Sequence, residues 1–326
     1  MRIIGIGNAL LDVLLRLESD SVLTEMGVKK GAMDLIDESK MREIQKTQSG
    51  LQRSEVPGGS VCNTMRAMAR LGAEVGYIGK IGDDNAGKIY EDETKRAGVN
   101  PFFVRAEGIS GCSTVLISPD GERTMATYLG PAATLSDEEI PDEILQPYDC
   151  LYMEGYLISD EKLFLPMLKR AKRLGLKVAL DLSNFNIVNG FKDLLKEVIP
   201  EYVDILFSNE SEAEAYTGLT AREAVNVITK DVEISVVTIG KDGVLVGDNS
   251  QIIHNPALDS NVIDTTGAGD NFAAGFLYGY SLGVSLEQSA KIGTLLSANV
   301  IETVGAQIAG ERWAKIKLKV DDILRK

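Results

Sequence analysis

The chain has 326 residues, of which 44% are apolar, 25% charged and 6% aromatic, and its net charge is −14. That length and balance suit one large domain, or a core with a small appendage, able to bury a sizeable hydrophobic interior. The acidic excess and the lack of a polybasic stretch argue against nucleic-acid binding and against docking on an anionic membrane, although local dipoles can still hold a phosphate.

The opening, MRIIGIGNALLDVLL, is apolar but broken by glycine, asparagine and aspartate. It lacks a positively charged leader with a cleavage site and lacks a run of about 18 apolar residues, so it reads as a buried first strand in a cytoplasmic protein. Gly5 and Gly7 begin a GxGxxG pattern, but Leu10 stands at its third glycine, which weakens a dinucleotide-binding oxidoreductase reading. Further along, apolar runs at residues 2–7, 75–81, 150–153, 177–181, 205–208 and 234–239 alternate with helical periodicity at 60–71, 85–97, 161–174, 221–229 and 285–303. This is the pattern of an α/β core, a mostly parallel sheet flanked by helices in three layers. Gly72, Gly98 and Gly175 follow three of the amphipathic stretches as left-handed caps.

Segments 13–36 and 102–129 break the rhythm with β-like runs (GAMDLID, STVLISP, ERTMATYL), the last two joined by the turn signal Pro119-Asp120-Gly121. Two hairpin-like excursions pairing into a small sheet would form a β lid, leaving 1–12, 37–101 and 130–326 as the core. Cys62, Cys112 and Cys150 have no metal spacing and read as buried reduced thiols. His254, the single histidine, lies in a polar, turn-rich stretch, which disfavours Ser–His–Asp chemistry and histidine-based zinc sites.

The chemistry centres on Asp264-Thr265-Thr266-Gly267-Ala268-Gly269-Asp270, directly before a helical run. Gly267, Ala268 and Gly269 let backbone N–H groups approach an anion, and the helix start adds its positive end. Asp270 beside that anion hole suits a base that takes a proton from a hydroxyl attacking phosphorus. Alone, the run also fits an ordinary glycine-rich turn whose aspartate favours the helix dipole. Upstream, Gly58 and Gly59 allow close backbone approach, and Asn63 offers donor and acceptor to a polyol; a capped helix start explains the same residues. The run Gly82-Asp83-Asp84-Asn85-Ala86-Gly87-Lys88-Ile89 imitates a P-loop. Ile89 has no hydroxyl for magnesium, however, and two aspartates would repel phosphate, so it reads as a helix cap.

Gly58-Gly59 with Asn63, GKIGDDNAGKIYEDETKRAGV, NESEAEAYTG and DTTGAGDNFAAGF together resemble the ribokinase-like, or pfkB-type, family of sugar and nucleoside kinases over nearly the whole chain. The resemblance implies ATP as phosphoryl donor, magnesium as counter-ion and a β-sheet lid on an α/β core. It makes Asp270 the base, residues 267–270 the anion hole, and Asp12, Gly59 and Asn63 ligands of substrate hydroxyls. It further implies that Asn209 and Glu212 organise magnesium and phosphate through water; a solvated acidic helix start is the plain alternative. Thr238 and Gly240, in the run VTIGKDG that ends at Gly243, would border the nucleotide, with Asn299 across from them. In some members Asp264 and Thr266 resemble a site for a monovalent cation such as K+. Arg123, in the lid-like segment, would reach the substrate or γ-phosphate on closure, or is simply an exposed hairpin arginine.

Within the family the opening GNALLD, the run YVDILF with NESEA, and PDGERTMATYLG look most like the adenosine kinase branch. A purine needs flat apolar walls, for which Leu10, Met33, Tyr128 and Tyr156 are candidates, each also readable as plain core. The expected acceptor is therefore the 5′-hydroxyl of an adenosine-like nucleoside. Alternatives are a free sugar or sugar acid (ribose, fructose or 2-keto-3-deoxygluconate type), or a non-catalytic binding protein on the same fold. A monomer or homodimer is expected.

Overall fold

The computed structural model describes residues 1–47 and 53–325. Residues 48–52, inside the expected core segment 37–101, and residue 326 lie outside the described residues. The described strands are β1 (Ile3–Ile6), β2 (Leu10–Arg16), β3 (Met33–Leu35), β4 (Arg53–Pro57), β5 (Val75–Gly82), β6 (Asn100–Ala106) and β7 (Gly111–Ile117). They continue as β8 (Arg123–Tyr128), β9 (Cys150–Glu154), β10 (Lys177–Asp181), β11 (Ile205–Asn209), β12 (Ile234–Thr238), β13 (Val244–Gly247) and β14 (Ile252–Asn255). Among the described residues they form a nine-stranded sheet, β14-β13-β12-β11-β10-β9-β1-β5-β6, and a five-stranded one, β3-β8-β7-β2-β4.

The large sheet is parallel from β12 to β6, with β13 and β14 antiparallel at one edge. Its central strands read as unbroken apolar runs because helices cover both faces. Ile3, Tyr152 and Phe207 pack with the helices Ser60–Leu71, Ala268–Ser281 and Leu286–Val300. Ile4, Leu151 and Leu180 pack on the opposite side with Phe164–Arg173, Lys192–Tyr202 and Ala221–Ile228. The three-layer α/β reading therefore holds, and the predicted strands and helices fall where expected apart from their ends. Gly5 serves packing: a Cβ there would come within 2.3 Å of Val61 Cγ1. The helices Ala268–Ser281 and Leu286–Val300 touch almost backbone to backbone, since a Cβ on Gly275 would lie 2.6 Å from Ile292 O and one on Gly293 2.8 Å from Phe272 O.

The small sheet departs from the expected segments in three ways. Residues 102–106 belong to β6, which pairs in parallel with β5 in the large sheet, because the chain must complete that crossover before it leaves. β4, placed in the core by its position in the sequence, pairs antiparallel with β2. β2 and β3 are not a hairpin: β2 lies between β4 and β7, whereas β3 adds in parallel to β8 at the far edge. The antiparallel pair β7–β8 around Pro119-Asp120-Gly121 is as predicted. Val13 and Leu15 face an outer cluster with Leu23, Met26 and Ile44 from the helices Ser21–Glu25 and Glu38–Thr47, so alternate residues of β2 are free to face the other way.

The P-loop imitation is a helix cap. Asp84 accepts from Gly87 N at 2.8 Å, and also from Ser110 N at 3.1 Å and Ser110 Oγ at 2.6 Å. Lys88 pairs with Asp92 on the surface. The three cysteines are buried, and His254 lies exposed on β14 with Nε2 2.8 Å from Asp242 O. No helix among the described residues is long and apolar enough to cross a membrane. Asp84→Ala should lower stability by about 2 kcal/mol in urea unfolding, from loss of the cap and of the Ser110 bonds, and leave ATP affinity unchanged. A collapse of ATP affinity in the folded variant would restore this loop as a phosphate site.

Candidate active site

Strand order reverses at β1: β5 and β6 lie on one side, β9 to β12 on the other. Open α/β sheets bind ligands outside the carboxyl ends of their strands at such a switch. Glu154, Asp181, Asn209 and Thr238 are the last residues of β9, β10, β11 and β12, so the sheet itself sets these polar groups along one edge. A cleft of about 360 Å³ opens there, roofed by the small sheet through Leu14, Val115 and Met125.

The helix Ala268–Ser281 points its start into this cleft. Gly267 caps it with φ 73°, a left-handed conformation, and a Cβ there would lie 2.6 Å from Ala306 Cα. Gly269 differs: it has no positive φ, and a Cβ would meet nothing within 4 Å. Neither backbone nor packing demands glycine at 269, whereas a closely approaching anion would. Asp270 follows in the first turn, and its carboxylate accepts from Ser60 Oγ at 2.7 Å and Asn63 Nδ2 at 2.9 Å, both on the helix Ser60–Leu71. Burial pushes the Asp270 pKa up, while the bonds from Asn63 and Ser60 hold it back. With its nitrogen committed to Asp270, Asn63 leaves Oδ1 buried and without a partner on the cleft wall. Such an atom calls for a donor from a ligand.

Asp12, on β2, shares the wall. Burial and the charge of Asp270 raise its pKa to about 7, against pulls from Arg123 and Arg66. Gly58 makes room for it, since a Cβ there would fall 2.2 Å from the Asp12 carboxylate. Gly59 has φ 86°, and its Cβ would strike Asn8 O at 2.4 Å. The glycine pair is thus required by the fold around Asp12 as much as by a ligand. Glu154, absent from the sequence reading, accepts from Asn8 N and Nδ2 at 2.9 Å and from Val61 N at 3.3 Å, tying the turn after β1 to the start of Ser60–Leu71. Its burial raises its pKa to about 7.

Asn209 and Glu212 form a reciprocal cap: Asn209 N and Nδ2 donate to Glu212 at 2.8 and 2.7 Å, and Glu212 N donates back to Asn209 Oδ1 at 3.0 Å. The helix start is capped as the plain reading has it, but Glu212 is buried rather than solvated, and both residues also line the cleft. Asp181 lies with them, a second carboxylate missed in sequence. Burial and the nearby Glu212 push its pKa well up. Ser183, whose N donates to Asp181 Oδ1 at 2.7 Å, is the one non-glycine residue with positive φ among those described, at 63°. The neighbouring carboxylates Asp181 and Glu212 fit magnesium, which takes one or two protein carboxylates and fills its remaining positions with phosphate oxygens and water.

A second hollow, of about 580 Å³, holds Thr238, Gly240 and Gly243 and meets the first at Ala268 and Gly269. Gly240 has open space around its Cβ position but a positive φ of 55°, so the backbone itself favours glycine there; Gly243 is demanded by packing as well, with φ 101° and a Cβ only 2.1 Å from Asn255 O. Asn299 does not face this hollow; it lines a neighbouring one with Lys315 and Lys319, and its Nδ2 donates to Leu295 O at 2.8 Å. Tyr156 lines the cleft, with its hydroxyl 3.4 Å from Ser183 O. Of the other expected walls, Leu10 packs over Gly111 and Tyr128 reaches Glu38, so Leu14, Val115 and Met125 supply the apolar surface instead. The side chain of Met33 lies outside the described part. Arg123 is not an exposed hairpin arginine: it donates from Nη1 to Thr266 Oγ1 at 2.8 Å and pairs through Nη2 with Asp264.

Two hollows that meet over a glycine-lined helix start, one with a carboxylate at the junction, define a kinase that phosphorylates an alcohol. The chain belongs to the pfkB family of carbohydrate kinases, whose model matches residues 28–313. It is 31% identical over 242 residues to an uncharacterized sugar kinase of Archaeoglobus fulgidus, covering 74% of this chain and 96% of that one. It is 27% identical over 333 residues to adenosine kinase of Saccharomyces cerevisiae, covering 95% and 97%. The adenosine kinase structure from Sinorhizobium meliloti superposes with a TM-score of 0.87 at 31% identity, covering 97% and 98%.

The Asp12 pKa stands at about 7 in the fold against an ordinary 3.8. Between those values the folded chain holds a proton that the unfolded chain has released, so this group's contribution to stability falls as pH rises. Asp12→Asn should flatten the dependence of unfolding free energy on pH in that window by up to ~1.4 kcal/mol per pH unit. Urea titrations of both proteins from pH 4.5 to 6.5 with the same slope would show that Asp12 is ionised there.

Proposed function

We propose that this kinase transfers the γ-phosphoryl group of ATP to the 5′-hydroxyl of an adenosine-like nucleoside, with Asp270 as general base. The reading rests above all on Asp270 in the first hollow, held by Ser60 and Asn63 next to Gly269, where the two hollows meet. Asp270 takes the proton as the acceptor oxygen bonds to phosphorus and the bond from phosphorus to the leaving ADP oxygen breaks. The N–H groups at 268 and 269, with the helix dipole, stabilise charge on the transferring oxygens. Asn63 Oδ1, Asp12 and the Gly58–Gly59 backbone take the other ribose hydroxyls, while Thr238 and Gly240 border the nucleotide. Glu212 and Asp181 would hold magnesium, which when bound would supply positive charge against the phosphates. The small sheet acts as a lid that keeps water from the phosphate. Buried reduced cysteines fit a cytoplasmic site of action.

The adenosine-like acceptor is supported by the likeness to two adenosine kinases and by the apolar group Leu14, Val115, Met125 and Tyr156 on the cleft. Stacking on such a surface should favour adenosine over ribose by about 10²-fold in kcat/KM. Tyr156→Ala should reduce turnover of adenosine much more than of ribose. An ADP-release screen in which ribose, fructose or a sugar acid outperforms every nucleoside would replace this acceptor with a free sugar.

For the base, Asp270→Asn should lower kcat by about 10²–10⁴-fold with little change in ATP affinity. Activity within a few-fold of the parent would remove Asp270 from the mechanism. Gly269→Val should block the approach of phosphate while leaving the fold intact, since nothing packs on that position. Lys88→Ala, in the P-loop imitation, is the matched control. An ATP titration in which Lys88→Ala loses binding and Gly269→Val keeps it would mean that the phosphate lies elsewhere.

A further inference from the structure

Asp264 and Thr266, the pair that resembles a monovalent-cation site, do not fit that role here. The Asp264 carboxylate accepts from Thr266 N at 3.0 Å and Thr266 Oγ1 at 2.8 Å on one oxygen. On the other it accepts from Gly305 N at 2.6 Å and from Arg123 Nη2. Four donors fill the four lone-pair directions of a carboxylate, so none remains for a metal ion. The Thr266 hydroxyl is equally committed, donating to Asp264 and accepting from Arg123 Nη1. The ion pair is well shielded, with the two side chains 14% and 9% exposed. A guanidinium stays charged at any working pH, and its planar fork suits two acceptors at once.

We propose that Arg123 is a built-in replacement for the monovalent cation: a positioning residue that supplies a fixed positive charge beside the anion hole and holds the 264–267 turn that shapes it. The kinase then works without K+. Two features give the arrangement its consequence. Arg123 is the first residue of β8, so the charge belongs to the small sheet, while Asp264 and Thr266 precede the helix Ala268–Ser281 in the core. Arg123 also lines the cleft with Asp12 and exerts its field on that carboxylate. A free ion would occupy its site whatever the position of the small sheet. A tethered guanidinium completes the turn only when the small sheet is seated, so assembly of the anion hole is linked to the element that roofs the acceptor.

This inference rests on the kinase reading with the anion hole at 267–270, and the test separates the two. Initial rates would be measured at fixed magnesium and equal ionic strength, in potassium chloride and in tetramethylammonium chloride, for the parent and for Arg123→Ala. K+-dependent thermal shifts of both proteins without substrate provide a readout independent of turnover. The parent should run at the same rate in both salts and show no K+-specific shift. Arg123→Ala should lose about 10²-fold in tetramethylammonium, comparable to loss of one oxyanion-stabilising donor, and recover in part with added K+ or guanidinium. It should also gain a K+-specific rise in Tm as Asp264 and Thr266 are uncovered. A parent that needs K+ overturns the assignment even if the variant fails to fold. So does a folded variant that neither ion rescues or shifts. A parent inactive in both salts with every acceptor would instead refute the site reading itself.

Discussion

Asp270 carries a negative charge into the first turn of a buried helix, and the geometry of the cleft follows from holding it there. The helix cannot shift, because Gly275 and Gly293 bring it and Leu286–Val300 into near backbone contact. Nor can the carboxylate swing freely, because Ser60 and Asn63 reach it from a second helix. That second helix is itself anchored through Val61 N to Glu154 at the end of β9. A displacement anywhere along this chain of contacts would move the Asp270 carboxylate relative to the glycine-lined helix start. Pre-organisation of this kind suits a reaction in which the protein's contribution is mainly position and electrostatics.

Legibility of the site follows the range of the physical cause. Local constraints are readable in one dimension: the glycine-rich helix start at 267–270, the Asn209/Glu212 cap and the false P-loop each declare themselves within a few residues. The alternation of apolar runs likewise makes the two-sided sheet visible. Constraints that arise from sheet register are not readable. Glu154 and Asp181 look like ordinary strand terminators until β9 and β10 are aligned beside β11 and β12. Arg123 and Asp264 are 141 residues apart, and no local pattern links a hairpin arginine to that aspartate. The apolar cleft wall expected at Leu10 and Tyr128 is handed by pleating to Leu14, Val115 and Met125, because strand faces alternate by single residues.

Glycines show the same division in miniature. Gly243 and Gly269 stand in similar turn-rich runs and look equivalent as letters. In the fold, Gly243 is held by a left-handed backbone and by Asn255, whereas Gly269 is free of both demands. Only the second needs a ligand to explain it. A nucleotide-site residue inferred from resemblance is therefore better judged by what a Cβ would meet than by its presence in a motif. By that measure only Gly269 lacks a structural reason for glycine, since Gly240 has a positive φ of 55° and Gly243 is held by both backbone and packing.

The electrostatic balance of the cleft explains why these pieces occur together. Asp12, Glu154, Asp181, Glu212 and Asp270 are all raised in pKa by burial, which means that the apo cleft already resists further negative charge. A bare triphosphate would meet that resistance in full. The helix start would offset part of it, and in the proposed reading a magnesium ion arriving with the nucleotide would offset more near Asp181 and Glu212. On the acceptor side the fixed cations that act on Asp12 are Arg123 and Arg66, and Arg66 is turned toward the backbone, donating to Pro57 O. Arg123 is thus the one of the two positioned by Asp264 and Thr266 next to the anion hole. Under the proposed site, a charge carried on the small sheet would lower the cost of bringing phosphate close to Asp270 only while that sheet is seated over the cleft, which would tie the protein's own contribution to the exclusion of water.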